Sequence, residues 1–363
     1  TRVFLIALVV ILSGAATILE VRAETSSVKP SKSGQFTGDL PGNVKGSPRD
    51  PEIWRYLRKG GRGHANVPDP NAVTLIQSSG QRWRIFRKVH LPRYGAWTLS
   101  GACVFLTIFF MVRGRIRIDT WFSGRSILRF GLIERAAHWL LAVSFMILAL
   151  TGLNMVYGST VIKPLVGHAA FSKLAAYGKW FHDFTGFAFI AGLFLVLLLW
   201  VRDNIPKRCD LTWVARGGGH LPARRFNAGQ KIFFWVVILA GMSVSFSGLC
   251  LLFPFIFTPF SETFAVLNVL GFELPTELSP VEEMQLTLAW HGVLGILMTV
   301  VVIAHIYIGS LGMEGAFDAM ATGFVDENWA RQHHSLWAAE LGAGESTLNE
   351  KRLGNKNEQP PVS

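Results

Sequence analysis

The chain has 363 residues, half of them hydrophobic and only 16% charged, with a formal net charge of +11. A soluble domain of this size would carry more charge, so these proportions point to an integral membrane protein with short polar connections in a lipid bilayer. The basic residues lie mainly beside apolar spans rather than in one soluble patch, which argues against nucleic acid as a partner and makes them topology signals.

Residues 1–23 read as a cleavable signal: Arg2, an apolar core from Val3 to Leu19, and a small-residue site at Ala23. An uncleaved anchor would leave the next segment on the same, outer side. Residues 24–93 form an extracytoplasmic extension, polar and rich in Gly, Pro and Ser; from Pro51 onward its aromatic and aliphatic residues suggest that it packs on something. Residues 94–112 are long enough for a first transmembrane helix. The loop 113–136 opens on Arg113, Arg115 and Arg117, as a cytoplasmic loop should. Arg82, Arg84, Arg87, Lys88 and Arg93 crowd the other end of that helix, and the amino-terminal signal decides its direction.

Four further spans lie between residues 137 and 312, at 137–156, 181–201, 232–253 and 286–311. The loop from Arg202 to Lys231 is basic, which places it in the cytoplasm. The loop from 254 to 283 has no Lys or Arg but carries Glu262, Glu273, Glu277, Glu282 and Glu283, which places it outside. Residues 313–363 form a polar cytoplasmic tail. Cys103, Cys209 and Cys250 make no CxxC pair, so there is no disulfide framework, no iron–sulfur cluster and no covalent haem attachment.

The last span holds His291 and His305. Fourteen residues apart, they share one helix face about 21 Å apart, one near each side of the bilayer. Histidine in hydrocarbon is costly and marks a functional site. Depth pairs His138 of the first bundle span with His305 on the inner side, and His182 of the next with His291 on the outer side. Two imidazoles on opposite faces of a haem leave no open position for oxygen chemistry and suit electron transfer. Gly152, Gly186, Gly192, Gly292 and Gly295 lie near these residues, where they would either admit a flat macrocycle or serve helix packing. His64, His90, His168, His220, His333 and His334 fall outside the spans.

Several stretches together carry a family resemblance: IERAAHW, WFHDFTG, RDNIPKR, FNAGQKIFFW, AWHGVLG with IAHIYIG, and WARQHHSLW. From about Arg125 to Glu340 the chain resembles the cytochrome b (γ) subunit of respiratory formate dehydrogenases, in a long form with an extension and an extra first helix. The resemblance implies an all-α fold, a four-helix haem-binding bundle at 137–312, and axial ligands at His138, His305, His182 and His291 for two b haems. It implies an electron-transfer subunit in a bacterial inner membrane. That subunit would dock an iron–sulfur β subunit and a molybdenum- or tungsten-containing α subunit, and would deliver electrons to menaquinone or ubiquinone in anaerobic respiration. It also implies a quinone site at Asn227, Gly229 and Gln230, although Asn227 would equally suit a helix cap and Gly229 a turn. A cytochrome b subunit of a nickel–iron hydrogenase or other reductase is a related alternative. A haem-free anchor or transporter with relay histidines would want acidic residues deep in the spans, where only Asp183, near a span end, is found.

Overall fold

The computed structural model describes residues 62–64, 74–77, 79–217 and 221–342. The expected signal at 1–23, most of the extension at 24–93, His220 and the tail from 343 lie outside the described residues. Ahead of the first span, β1 (Arg62–His64) and β2 (Thr74–Gln77) pair antiparallel. Helix α1 (Ser79–Ile85) continues through a π-type segment at Phe86–His90 into α2 (Leu91–Arg113). Strand β3 (Ser126–Leu128) leads to α3 (Leu132–Val161), and the short α4 (Lys163–Val166) turns the chain into α5 (His168–Trp200). Then come α6 (Arg208–Ala215), α7 (Ala228–Leu252), α8 (Pro259–Val269) and α9 (Pro280–Tyr307), the last extended by a π-type segment at Ile308–Gly312. The described chain is completed by α10 (Asp318–Ala321), β4 (Phe324–Asp326) and α11 (Glu327–His333).

Among the described residues, five helices are long and apolar enough to cross a membrane: Gly80–Arg113, Leu132–Val161, His168–Trp200, Ala228–Leu252 and Pro280–Gly312. The chain is an all-α integral membrane protein, with two short strand pairs beside its helices. The helices outrun the spans expected from hydropathy. Helix α3 has 30 residues and α5 has 33, about 45–50 Å against a hydrocarbon core of about 30 Å. Residues 157–180 mix Ala, Leu, Lys and aromatic residues, so the helices continue past the apolar window until Pro164 and Gly167 reverse the chain.

Helices α3 and α5 pack along their length as a hairpin, and α9 packs on both α7 and α2. Helices α3 and α9 approach at only a few positions. Helix α2 is tied to the bundle where the Tyr157 hydroxyl donates to the Pro92 carbonyl at 3.0 Å. Leu140, Val143, Phe187, Leu198 and Leu239 are exposed on the spanning helices, as lipid-facing side chains should be, since hydrocarbon solvates them as well as a core does.

The segment after Met313, expected as a polar tail, folds back as a cap on the end of the bundle that carries His138 and His305. Its β4 pairs antiparallel with β3, and the amides of Arg129 and Phe130 donate to the Gly323 carbonyl. Aromatic residues dispersed among polar ones supply the burial: Val325 and Trp329 join Phe130, Trp200 and Phe226 in one core. The Arg129 guanidinium is buried against the rings of Trp329, Phe130 and Trp337. Arg225 bridges Glu134 at 2.7 Å and Asp203 at 2.8 Å.

Candidate metal centres

Helix α3 begins after Gly131, whose amide donates to the Glu134 carboxylate at 2.9 Å. Glu134 also accepts from the Trp200 indole at 2.8 Å and from Arg225, so the first turn of α3 is fixed against α5 and the loop before α7. His138 sits one turn further along α3. Its ring lies 6.3 Å, centroid to centroid, from that of His305 on α9, with the planes inclined at 60°. Near the other side of the bundle, His182 on α5 and His291 on α9 stand 6.1 Å apart at 71°. The structure thus brings together the histidines that depth had paired.

Two imidazoles held coaxially on one iron, with metal–nitrogen bonds of about 2 Å and about 1.2 Å from nitrogen to ring centre, would have centroids about 6 Å apart. Both pairs have that separation. Among the described residues neither gathers a third His, Cys, Asp or Glu that would complete a bare metal site. Two imidazoles suffice where a macrocycle supplies the remaining ligands, whereas a lone zinc wants four from the protein. Gly186 and Gly295 lie one turn beyond His182 and His291 on the same helix faces, and a methyl group at either would meet nothing within 4 Å. The residues present therefore fit a flat group at the outer pair. At the inner pair, the buried Nδ1 of His138 has no hydrogen-bond partner among the described residues. The other glycines divide by role: Gly192 meets the Leu141 backbone and Gly292 meets Leu91, so both serve helix packing.

The outer pair is held by side chains that sequence reading did not single out. Thr151 Oγ1 lies 2.9 Å from His182 Nδ1, and Ser247 Oγ lies 2.9 Å from His291 Nδ1. Next to each hydroxyl is a glycine against the same ring: a methyl at Gly152 would approach His182 Cε1 to 3.4 Å, and one at Gly248 would approach His291 Cε1 to 3.3 Å. The signal was available as Thr-Gly-Leu in one span and Ser-Gly-Leu in another, at the depth of the outer histidines. At the inner pair a ring takes this place, Phe233 stacking on His305 at 4.3 Å.

The structure shows Asn227 as the cap of α7: its Oδ1 accepts the Gln230 amide at 2.9 Å while the Gln230 Oε1 accepts the Asn227 amide at 3.0 Å. This reciprocal box uses both side-chain oxygens and neither side-chain NH2. Gly229 lies against Trp213 of α6. Behind them the buried Lys231 donates to Asp210 at 2.7 Å and to the Ile205 carbonyl at 3.2 Å, latching α6 across the start of α7.

Among the remaining histidines, His334 is buried in the inner cap with its Nδ1 2.7 Å from the Arg224 carbonyl. Burial, then the neighbouring Arg129 charge, holds its pKa well below the usual range. His334 belongs to the cap, not to either pair.

Comparison with known proteins extends this geometry. A family model described as prokaryotic cytochrome b561 matches residues 129–323. The chain is 25% identical over 232 residues to the cytochrome b556(Fdn) subunit of the nitrate-inducible formate dehydrogenase of Escherichia coli strain K12, covering 62% of this chain and 95% of that one. It is 25% identical over 224 residues to the cytochrome b556(fdo) subunit of a formate dehydrogenase from the same strain, covering 60% and 93%. It is likewise 25% identical over 224 residues to the formate dehydrogenase cytochrome b556 subunit of Haemophilus influenzae, covering 59% and 83%.

Proposed function

This chain belongs to the prokaryotic cytochrome b561 family, and from that premise we propose that it is the di-haem membrane subunit of a formate dehydrogenase. In this reading it anchors the complex and passes electrons from an iron–sulfur subunit to membrane quinone, with formate oxidised on a molybdenum- or tungsten-containing partner. The observation that carries the proposal is the stacking of two isolated histidine pairs at two depths along α9, each with the ring separation that one shared iron requires. Bound haem supplies a one-electron iron couple at each level.

The chain's own residues do the rest. His138 and His305 hold the inner site, and His182 and His291 the outer one. Helices α3, α5, α7 and α9 keep water from the rings, and Gly186 and Gly295 leave room beside the outer pair. With the extension outside and the cap in the cytoplasm of a bacterial inner membrane, electrons move inward and quinone takes its protons from the cytoplasm. Each charge moved across the membrane is then worth about 2.3 kcal/mol per 100 mV. Menaquinone or ubiquinone would sit at the start of α7. There the NH2 groups of Asn227 and Gln230, unused by the capping box, are the donors its carbonyls need. Phe233, one turn on, leads from that site to His305.

The test is a reduced-minus-oxidised optical spectrum of the purified complex, with haem counted per chain and formate as reductant. Two low-spin b haems reduced by formate and reoxidised by quinone is the expected result. A chain with no haem, despite ample haem supply and an intact fold, would sink the proposal. Reduction by dihydrogen in place of formate would reassign the partner to a hydrogenase.

A further inference from the structure

We propose that Thr151 and Ser247 are positioning residues that set the direction of electron flow. By accepting the Nδ1 protons of His182 and His291 they make the outer histidine pair the more electron-rich ligand set, and so hold the outer site at a lower reduction potential than the inner one. This rests on the ligand assignment proposed above and deepens it.

The hydroxyl protons are already committed to the backbone. Thr151 donates to the Ile147 carbonyl at 2.7 Å, and Ser247 donates to the Val244 carbonyl at 2.9 Å. Only oxygen lone pairs are left to face the imidazoles, so each ring must carry its proton on Nδ1 and turn the Nε2 lone pair inward. The Val244 carbonyl, 3.2 Å from His291 Nδ1, enforces the same tautomer, because a carbonyl can only accept. A hydrogen bond accepted from Nδ1–H strengthens Nε2 as a donor and favours the more positive metal state.

The device is repeated, and it is confined to one level. Thr151-Gly152 on α3 holds the histidine of α5, and Ser247-Gly248 on α7 holds a histidine of α9; each hydroxyl fixes the tautomer and each glycine lets the ring lie against the helix. No such acceptor meets the buried His138 Nδ1 among the described residues. His305 is flanked instead by Phe233, which offers no lone pair. Each transfer inward oxidises the outer site and reduces the inner one by a single electron. The iron–sulfur partner is the reductant and quinone the final oxidant, and the tautomers of His182 and His291 stay unchanged throughout.

Redox titration of the whole complex, followed in the visible α band and by low-temperature electron paramagnetic resonance, tests this. The outer component is identified as the one that survives His305→Leu. Thr151→Val should raise the midpoint of that component and move its low-spin signal while leaving the other in place. Ser247→Ala should raise it as well, each shift being limited by the backbone carbonyl that remains, Leu148 for His182 and Val244 for His291, and Thr151→Ser should restore the wild-type value. A hydroxyl that only bonds its own helix would leave both midpoints unmoved in Thr151→Val and Ser247→Ala at full haem content, and that result overturns the proposal. If Thr151→Val sheds the outer haem, Ser247→Ala decides alone, and an unmoved midpoint there overturns it as well. A wild-type complex with fewer than two haems per chain would fail the ligand assignment itself, and this inference with it, and the haem count reads that before any midpoint is taken.

Discussion

Phe233 stacks on His305 with ring centroids 4.3 Å apart and planes within 13° of parallel. Helix α7 therefore reaches the inner histidine pair directly from the turn that Asn227 and Gln230 cap. Gly229 precedes Phe233 by one turn on the same face, and the Trp213 indole lies so close that a methyl at Gly229 would come within 3.1 Å of its Cη2.

That contact gives the first prediction. Gly229→Ala should push Trp213, and α6 with it, off the proposed quinone site, raising the KM for quinone about tenfold, or about 1.4 kcal/mol. Haem content and the formate-reduced spectrum should be unchanged. Steady-state quinone reduction beside the optical spectrum measures both, and an unaltered KM would move the quinone away from this end of α7.

His305→Leu should remove the inner haem, halve the haem count and abolish quinone reduction, while the outer component is still reduced by formate. Partner docking should persist, since His305 packs within the bundle against His138 and Phe233. Turnover at the normal rate in that variant would refute the pairing of His138 with His305.

Much of this was legible in the sequence, for physical reasons. Spans long enough to cross a bilayer announce themselves by composition, and the rise of an α-helix converts the spacing of His291 and His305 into depth. The residues that hold the rings were less visible, because Thr151 and Ser247 are ordinary helix hydroxyls until a neighbouring helix brings an imidazole to them. The inner cap was harder still. Trp329 and Trp337 stand in a polar stretch with no continuous apolar run, and only their burial against Arg129 reveals a core there.

The cap should respond to acid through His334. Its pKa in the folded chain is held well below the usual value, first by burial and then by the Arg129 charge, against the opposing pull of the Arg224 carbonyl. The unfolded cap therefore takes up a proton more readily than the folded one. The stability due to neutral His334 is fully present above the ordinary histidine pKa of about 6.5 and declines as pH falls below it. Tryptophan fluorescence from Trp329 and Trp337 should report loosening between about pH 6.5 and 5, and His334→Asn should flatten that response. A pH-independent signal in the wild-type chain would show that folding leaves the His334 pKa unshifted, with its proton uptake the same in the folded and unfolded cap.

The Glu134, Arg225 and Asp203 cluster should matter more than its surface counterpart. Arg225 is a quarter exposed and Glu134 less, and Arg225 also donates to the Arg129 carbonyl and lies over the Phe130 ring. Arg225→Met would leave the Glu134 carboxylate with the Trp200 indole and the Gly131 amide but without its cation. Breaking a buried pair costs about 3–5 kcal/mol, and partial exposure here argues for the lower end of that range. Because Glu134 sits one turn from His138, the inner haem should be lost before the outer one on heating. The exposed Lys179–Asp183 pair is the control: Lys179→Ala should cost less than about 1 kcal/mol and leave haem retention unchanged. Thermal unfolding of the complex, read by haem absorbance, ranks the two variants; equal effects would mean that the cluster is as well solvated as the surface pair and does not hold the first turn of α3.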